Sequence, residues 1–251
     1  TPEGFPEIPR IAAVLGPGYG DSALHAGTAH IIVMTETSSI ALSGPSVVES
    51  AIGEKVTDQE LGGPEHAQEI GTAHLVVPTE DEAFDAIAAY LSYLPNNAAR
   101  PAPRAPAVEP RLDRETLLEV VPTNPKQAYD MHDVIDAIVD ADTFLPWRPE
   151  AGKALITAFV RMEGQAVGII ANNPRHGAGA LDARALEKAH NFIDMCDTFN
   201  LPLVFLQDVP GLMIGIQAER QGIVQWYERL VARLARTKVP HVAVVVRKAF
   251  G

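Results

Sequence analysis

Two stretches, far apart in the chain, carry one hydrophobic pattern that runs into a glycine-containing turn. The first is Ile8-Pro9-Arg10-Ile11-Ala12-Ala13-Val14-Leu15, followed by Gly16-Pro17-Gly18-Tyr19-Gly20. The second is Val239-Pro240-His241-Val242-Ala243-Val244-Val245-Val246, followed by Arg247-Lys248-Ala249-Phe250-Gly251. They align without a gap, with Pro9 on Pro240, Ile11 on Val242, Tyr19 on Phe250 and Gly20 on Gly251. Proline at the mouth of an apolar run suits the first residue of a strand, where no ladder hydrogen bond is lost. A continuous apolar run predicts a strand buried on both faces, and glycine lets backbone N–H groups approach a ligand. The repetition predicts two related α/β domains, each with a candidate backbone anion site, as an enzyme with two substrates would need.

The remaining pattern fills in these domains. Thr79 and Glu82 form a capping box that opens a helix running to about Leu94, with Phe84, Ile87, Ala88 and Leu91 as its apolar stripe. Pro95-Asn96-Asn97 is followed by Pro101, Pro103, Pro106 and Pro110 among alanine, arginine and glutamate, which predicts an extended connector. Further on, residues 154–160 pair through Glu163-Gly164 with residues 166–170 as a β-hairpin. A helix over about 183–199 carries Leu186, Ala189, Ile193 and Cys196 at helical spacing. A strand at 203–207 ends in Asp208-Val209-Pro210-Gly211, and a helix over about 222–236 buries Ile223, Trp226, Leu230 and Leu234. The domain boundaries read as 1–98, a linker at 99–112, and 113–251. Because the chain closes at Gly251 on an apolar strand and opens on a loop-like Thr1-Pro2-Glu3-Gly4, it reads as an internal piece of a larger protein. The alternative is a natural C-terminal edge strand, which would be an aggregation hazard.

Composition narrows the function classes. A net charge of −12 argues against a nucleic-acid or anionic-membrane footprint. Cys196 is the one cysteine, so no intrachain disulfide or cysteine-built zinc site is expected. No apolar run reaches membrane-span length and no signal peptide is visible, which predicts a cytoplasmic protein.

The usual catalytic constellations are missing. There is no Gly-x-Ser-x-Gly elbow, and the eight histidines are scattered without ligand spacing, so no metal is expected. Gly16-x-Gly18 after a strand, with Glu36 downstream, invites comparison with a dinucleotide fingerprint. Asp21 at the third glycine position would repel a pyrophosphate, and that reading is set aside. What remains is backbone chemistry: a glycine turn at a strand-to-helix junction can offer N–H groups to a thioester oxygen as it becomes an enolate.

The chain resembles the carboxyltransferase (β) subunits of biotin-dependent acyl-CoA carboxylases, close to propionyl-CoA carboxylase. The resemblance rests on Leu61-Gly62-Gly63 with His66, on residues 90–97 (Tyr90-Leu91-Ser92-Tyr93-Leu94-Pro95-Asn96-Asn97), and on Tyr129-Asp130-Met131-His132-Asp133. It continues through Gly168-Ile169-Ile170-Ala171-Asn172-Asn173-Pro174, Cys196 to Leu203, Asp208-Val209-Pro210-Gly211 and the stretch from Val239 to Gly251. It implies a pair of crotonase-like α/β domains of ββα units, both incomplete here, with acyl-CoA on the N-terminal side and biotin on the C-terminal side. It further implies that carboxybiotin on a carrier gives up CO₂ and accepts the α-proton of a short-chain acyl-CoA, whose α-carbon captures the CO₂. Gly20 and Asp21 are then the acyl-CoA oxyanion N–H groups, and Gly251 begins the biotin-side turn. Gly18, Tyr19, Ser22, Gly211 and Phe250 are the substrate-binding candidates. The implied partners are a biotin carboxylase, a biotin carboxyl carrier subunit, and further copies in a homo-oligomer, a hexamer by resemblance; in a eukaryote the compartment would be the mitochondrial matrix.

Two departures stand out. Tyr19-Gly20-Asp21-Ser22 occupies the place of a small Ala-Gly-Gly-Ala run, and Gln225-Trp226-Tyr227 that of Arg-His-Gly. Asp21 could oppose an enolate or point away, while Trp226 falls on the apolar stripe. A decarboxylase or transcarboxylase subunit of the same fold, or a non-catalytic assembly subunit, remain as alternatives.

Overall fold

The computed structural model describes residues 7–250. Two compact units emerge, one of Ile8–Ser92 with Arg148–Ala151, the other mainly of Tyr93–Trp147 and Gly152 onward.

The first unit alternates strand, strand and helix. It contains β1 (Ile11–Val14), β2 (Pro17–Tyr19), α1 (Asp21–Gly27), β3 (Ile31–Thr35), β4 (Ser39–Ala41) and α2 (Pro45–Ile52). These are followed by α3 (Asp58–Gly62), α4 (Pro64–Glu69), β5 (Leu75–Val77) and α5 (Glu80–Tyr93). Leading strands form one parallel sheet, β1-β3-β5, while β2 and β4 pair in a second, with Gly18 opposite Ile40. This is the ββα order that the resemblance implies. The core gathers Val14, Ile32, Met34, Ile40, Ala67 and Ala73, and the central strand β3 is buried throughout.

Three expectations need correction here. The turn after β1 is not a continuous glycine loop, because Pro17–Tyr19 extends into β2 before the chain turns at Gly20. Ile11 and Ala12 of β1 are half-buried and Ala13 is exposed, since among the described residues β1 is an edge strand paired with β3 alone. The Thr79–Glu82 capping box forms as expected, but Phe84, Ala88 and Leu91 of α5 face solvent. Within α5 the buried residues are Ala83, Tyr90 and Tyr93, with Ile87 half-buried as expected, because Tyr90 supplies the larger anchor.

The second unit contains α6 (Leu117–Val120), α7 (Met131–Asp136), β6 (Leu145–Pro146), β7 (Leu155–Met162), β8 (Gln165–Asn172) and α8 (Ala183–Thr198). It continues with β9 (Leu203–Val209), α9 (Ile216–Arg220), α10 (Ile223–Leu234) and β10 (His241–Ala249). Its sheet runs β10-β9-β8-β7-β6. The hairpin β7–β8 turns on Glu163 and Gly164, at φ 51° and 76°, as a two-residue turn of left-handed residues requires. Gly164 is also where the proline-rich stretch docks: Ala105 N–H donates to its carbonyl at 2.9 Å. Arg161 Nη1 donates to Pro103 O at 3.2 Å, so this extended segment is pinned to the hairpin.

On one sheet face, Met131, Val134 and Ile135 of α7 pack on Ile156, Ala158 and Ile169. On the other, Phe192 of α8 meets Trp147 and Phe159 with ring centroids 5.3 and 5.1 Å apart. Gly168 lets α8 come close, since a Cβ there would lie 2.6 Å from Cys196 Sγ. Leu186, Ala189, Ile193 and Cys196 are all buried, as their spacing predicts. Trp226 and Leu230 pack on Ala183 and Leu186, whereas Tyr227 is exposed. The expectation of two-sided burial fails for β10, where Val242 is 60% and Val245 57% exposed. Among the described residues its one strand neighbour is β9, so the apolar run records a need for cover that this chain leaves unmet.

Candidate functional site

In the first unit the predicted residues Gly18 to Ser22 converge at the start of α1. Gly20 has φ 58° and ψ −127°, a conformation that needs glycine, and it turns the chain from β2 into the helix. Its N–H is spent, donating to Leu42 O at 3.0 Å. Its carbonyl accepts Leu24 N–H at 3.0 Å and so opens the helix. The N–H groups of Asp21, Ser22 and Ala23 lie in the first turn, where no intrahelical acceptor exists, and none meets an acceptor among the described residues. The N–H groups left open therefore begin at Asp21, and Gly20 shapes the turn. The Asp21 side chain is exposed.

The surrounding side chains brace this turn. Ser22 Oγ donates to Tyr19 O at 2.8 Å. The Tyr19 hydroxyl donates to Asp58 on α3 and lies 3.1 Å from Ser39 Oγ on β4. Burial, and then the Asp58 carboxylate, raise the Tyr19 phenol above its ordinary value. The ring lies against Gly44, where a Cβ would come within 3.2 Å of Tyr19 Cδ2. Gly18 sits in β2, and a Cβ there would make only ordinary contacts. Leu42 also lines a cleft of about 380 Å³ with Ile40, Ala41, Val48, Leu61 and His66. The Leu61-Gly62-Gly63 motif shapes its wall: a Cβ on Gly62 would fall 2.1 Å from Ile40 O.

In the second unit, Gly211 and Phe250 follow the carboxyl ends of the neighbouring strands β9 and β10. Gly211 has φ 135°, and a Cβ there would meet nothing within 4 Å. Its carbonyl accepts Leu181 N–H at 3.2 Å, while its own N–H has no acceptor among the described residues. Phe250 is exposed and its N–H donates to Val209 O at 3.2 Å. Gly251 lies outside the described residues.

Beneath these turns is a cluster that the choice of site residues missed. Asp208 is fully buried and takes Arg247 Nε at 3.1 Å and Nη2 at 3.0 Å. It also accepts Lys248 N–H at 3.2 Å, with Lys248 Nζ 3.5 Å away. The signal was visible as two adjacent cations closing an otherwise apolar strand.

Cys196 plays no part: burial, and then Asp197, push its thiol well up. Among the described residues no group of three or more His, Cys, Asp or Glu side chains is placed to hold a metal ion. Nor is any described helix long and apolar enough to cross a membrane.

Residues 4–251 match the carboxyl transferase domain family. A propionyl-CoA carboxylase carboxyltransferase subunit of Haloferax mediterranei is 38% identical over 247 residues, covering 97% of this chain and 48% of that protein. A biotin-dependent acetyl-/propionyl-coenzyme A carboxylase beta5 subunit of Mycobacterium tuberculosis is 39% identical over 254 residues, covering 97% and 46%. The crystal structure of transcarboxylase 12S, a hexamer with hydrolysed methylmalonyl-coenzyme A bound, superposes with a TM-score of 0.89 at 36% identity. That match covers 94% of this chain and 47% of the other. The chain thus spans about half the length of the curated relatives it matches.

Proposed function

This chain belongs to the carboxyl transferase domain family, with its crotonase-like fold, and from that premise we propose that it forms part of a biotin-dependent carboxyltransferase acting on a short-chain, propionyl-type acyl-CoA. The observation that carries this reading is the row of unpaired N–H groups at Asp21, Ser22 and Ala23, turned out by Gly20 beside a largely apolar cleft. A thioester whose acyl chain enters the cleft meets those donors with its carbonyl oxygen. As the α-proton leaves, charge gathers on that oxygen, and donors fixed in advance stabilise the enolate without reorganising. The base and the CO₂ are supplied by carboxybiotin on a partner carrier, so this chain needs no acid or base side chain of its own. The α-carbon of the enolate then forms the new C–C bond. In this scheme Asp21 and Ser22 donate, Gly20 sets the angle, and Tyr19 braces the turn.

The biotin side is assigned to Gly211 and Phe250, with Gly251 proposed as the first residue of its turn. Open space over Gly211 and its unpaired N–H fit a planar ureido group approaching the backbone. A biotin carboxylase and a biotin carboxyl carrier subunit are the proposed partners of a cytoplasmic homo-oligomer, hexameric like transcarboxylase 12S.

The test is transfer by the intact protein from a carrier bearing a labelled carboxyl group to propionyl-CoA. Label recovered as methylmalonyl-CoA supports the reading, and the reverse run from methylmalonyl-CoA uses the same enolate. Label that never reaches acyl-CoA and leaves as CO₂ no faster than from the carrier alone, with every short acyl-CoA supplied, would overturn it in favour of a non-catalytic assembly subunit.

A further inference from the structure

The cluster at the ends of β9 and β10 carries more than packing requires. Asp208 has no exposed surface, and Arg247 and Lys248 are nearly as buried. The register slips between Val245, opposite Gln207, and Ala249, opposite Val209, so the bulge brings both cations to one carboxylate. Arg247 uses its whole fork: Nε and Nη2 hold Asp208, while Nη1 donates to Asn124 O at 3.1 Å and Gln127 O at 2.8 Å. Its guanidinium also lies 4.9 Å from the centre of the Tyr129 ring. Lys248 Nζ donates to Ala178 O at 3.3 Å, and Asn172 Oδ1 accepts Asp208 N–H at 3.1 Å. A buried ion pair is weak as a source of stability, because desolvation offsets most of its attraction. What it provides is fixed geometry, since the planar fork of arginine tolerates one arrangement. Two cations on one carboxylate also leave one positive charge in surplus, three residues before Gly211 and two before Phe250 in the chain.

We propose that Asp208, Arg247 and Lys248 are positioning residues for the biotin-side turn, fixing the ends of β9 and β10 and placing surplus positive charge where negative charge develops on the bound ureido group. This rests on the assignment of that turn under the proposed function. The measurement is acyl-CoA-independent release of CO₂ from the carboxylated carrier by the intact protein, alongside acyl-CoA binding by calorimetry. Arg247→Lys keeps the charge and loses the fork; Lys248→Met keeps the fork and loses the surplus charge. Misplacing a reacting group by an ångström costs up to about a hundredfold, so each variant is expected to slow release about ten- to a hundredfold. Acyl-CoA affinity should stay within about twofold, and Lys248→Arg should restore most of the release rate. Release unchanged in variants that melt like the wild type would overturn the proposal, as would equal losses in release and acyl-CoA binding. Gly211→Val separates the two ideas. If it slows release while Arg247→Lys and Lys248→Met do not, the positioning role fails alone. If Gly211→Val also leaves release untouched, the biotin-side assignment fails with it.

Discussion

The two copies of the strand-and-glycine pattern have the same role in their sheets and different supports. Among the described residues both β1 and β10 are edge strands of parallel ladders, and each lies near a glycine of positive φ, Gly20 beyond β2 and Gly211 beyond the neighbouring β9. The first turn is braced at a half-exposed surface by hydrogen bonds from Tyr19 and Ser22 and by the Gly20 N–H on Leu42. The second stands on a fully buried carboxylate gripped by two cations. A repeated sequence pattern can therefore be supported by quite different chemistry. The first arrangement should be sensitive to backbone torsion and single hydroxyls, and the second to charge.

The strongest test of that contrast is Gly20→Val in the intact protein. A β-branched residue cannot hold φ 58° with ψ −127°, so the donors at Asp21 and Ser22 move. Losing an aimed oxyanion donor typically costs about 10²–10³ in turnover, roughly 3–4 kcal/mol. The loss should fall on kcat, since the charge develops only in the transition state. Wild-type kcat in a folded variant would show the turn to be merely structural.

Acid should distinguish the units next. His74 is buried and accepts Ile32 N–H on Nδ1 at 3.0 Å. Burial first, and then Arg148, hold its imidazole well below the ordinary 6.5. As pH falls through about 6.5, the unfolded chain takes up a proton that the folded one refuses. This contribution to stability is therefore complete above that pH and lost below it, at up to about 1.4 kcal/mol per pH unit. Hydrogen exchange should show amides around β3 in the first unit losing protection between pH 7 and 5 ahead of the β7–β8 hairpin. Parallel loss in both would remove the distinction.

Tyr19→Phe is the milder probe of the bracing. It deletes a half-buried hydroxyl and leaves Asp58 to water, at about 1 kcal/mol of stability by denaturant melts. A drop in kcat of several-fold with KM steady would tie the brace to the donors. The smallest effect is expected from Asp21→Asn. Its exposed carboxylate favours the helix N-terminus by about 0.3–1 kcal/mol, so turnover should stay within about twofold. A large rise in kcat would mean instead that the carboxylate faces the enolate.

Periodicity carried most of the fold. The hairpin, α8 with Leu186, Ala189, Ile193 and Cys196 on its buried face, α10 and the Thr79 cap could be read because each depends on local spacing and turn chemistry. The stripe of α5 was misread because Phe84 outranks Ala83 in hydrophobicity, whereas burial followed the larger anchor at Tyr90. The exposure of β10 was invisible because an apolar run states a preference and not the presence of a neighbour. At the site, the glycine turn could be found, but not that the Gly20 N–H is taken by Leu42, a pairing across 22 positions of chain. The Asp208 cluster depends on a bulge bringing residues 39 and 40 positions apart onto one carboxylate, which no local pattern encodes.

The approach of Gly168 to Cys196 has a practical side. The single thiol is sealed against a strand with no room for even one methyl group, and its burial keeps it protonated. Alkylation must therefore wait until α8 lifts from the sheet. Labelling kinetics with a small maleimide would time that event without an engineered reporter, and a change in rate on binding would measure how far a ligand tightens the second unit.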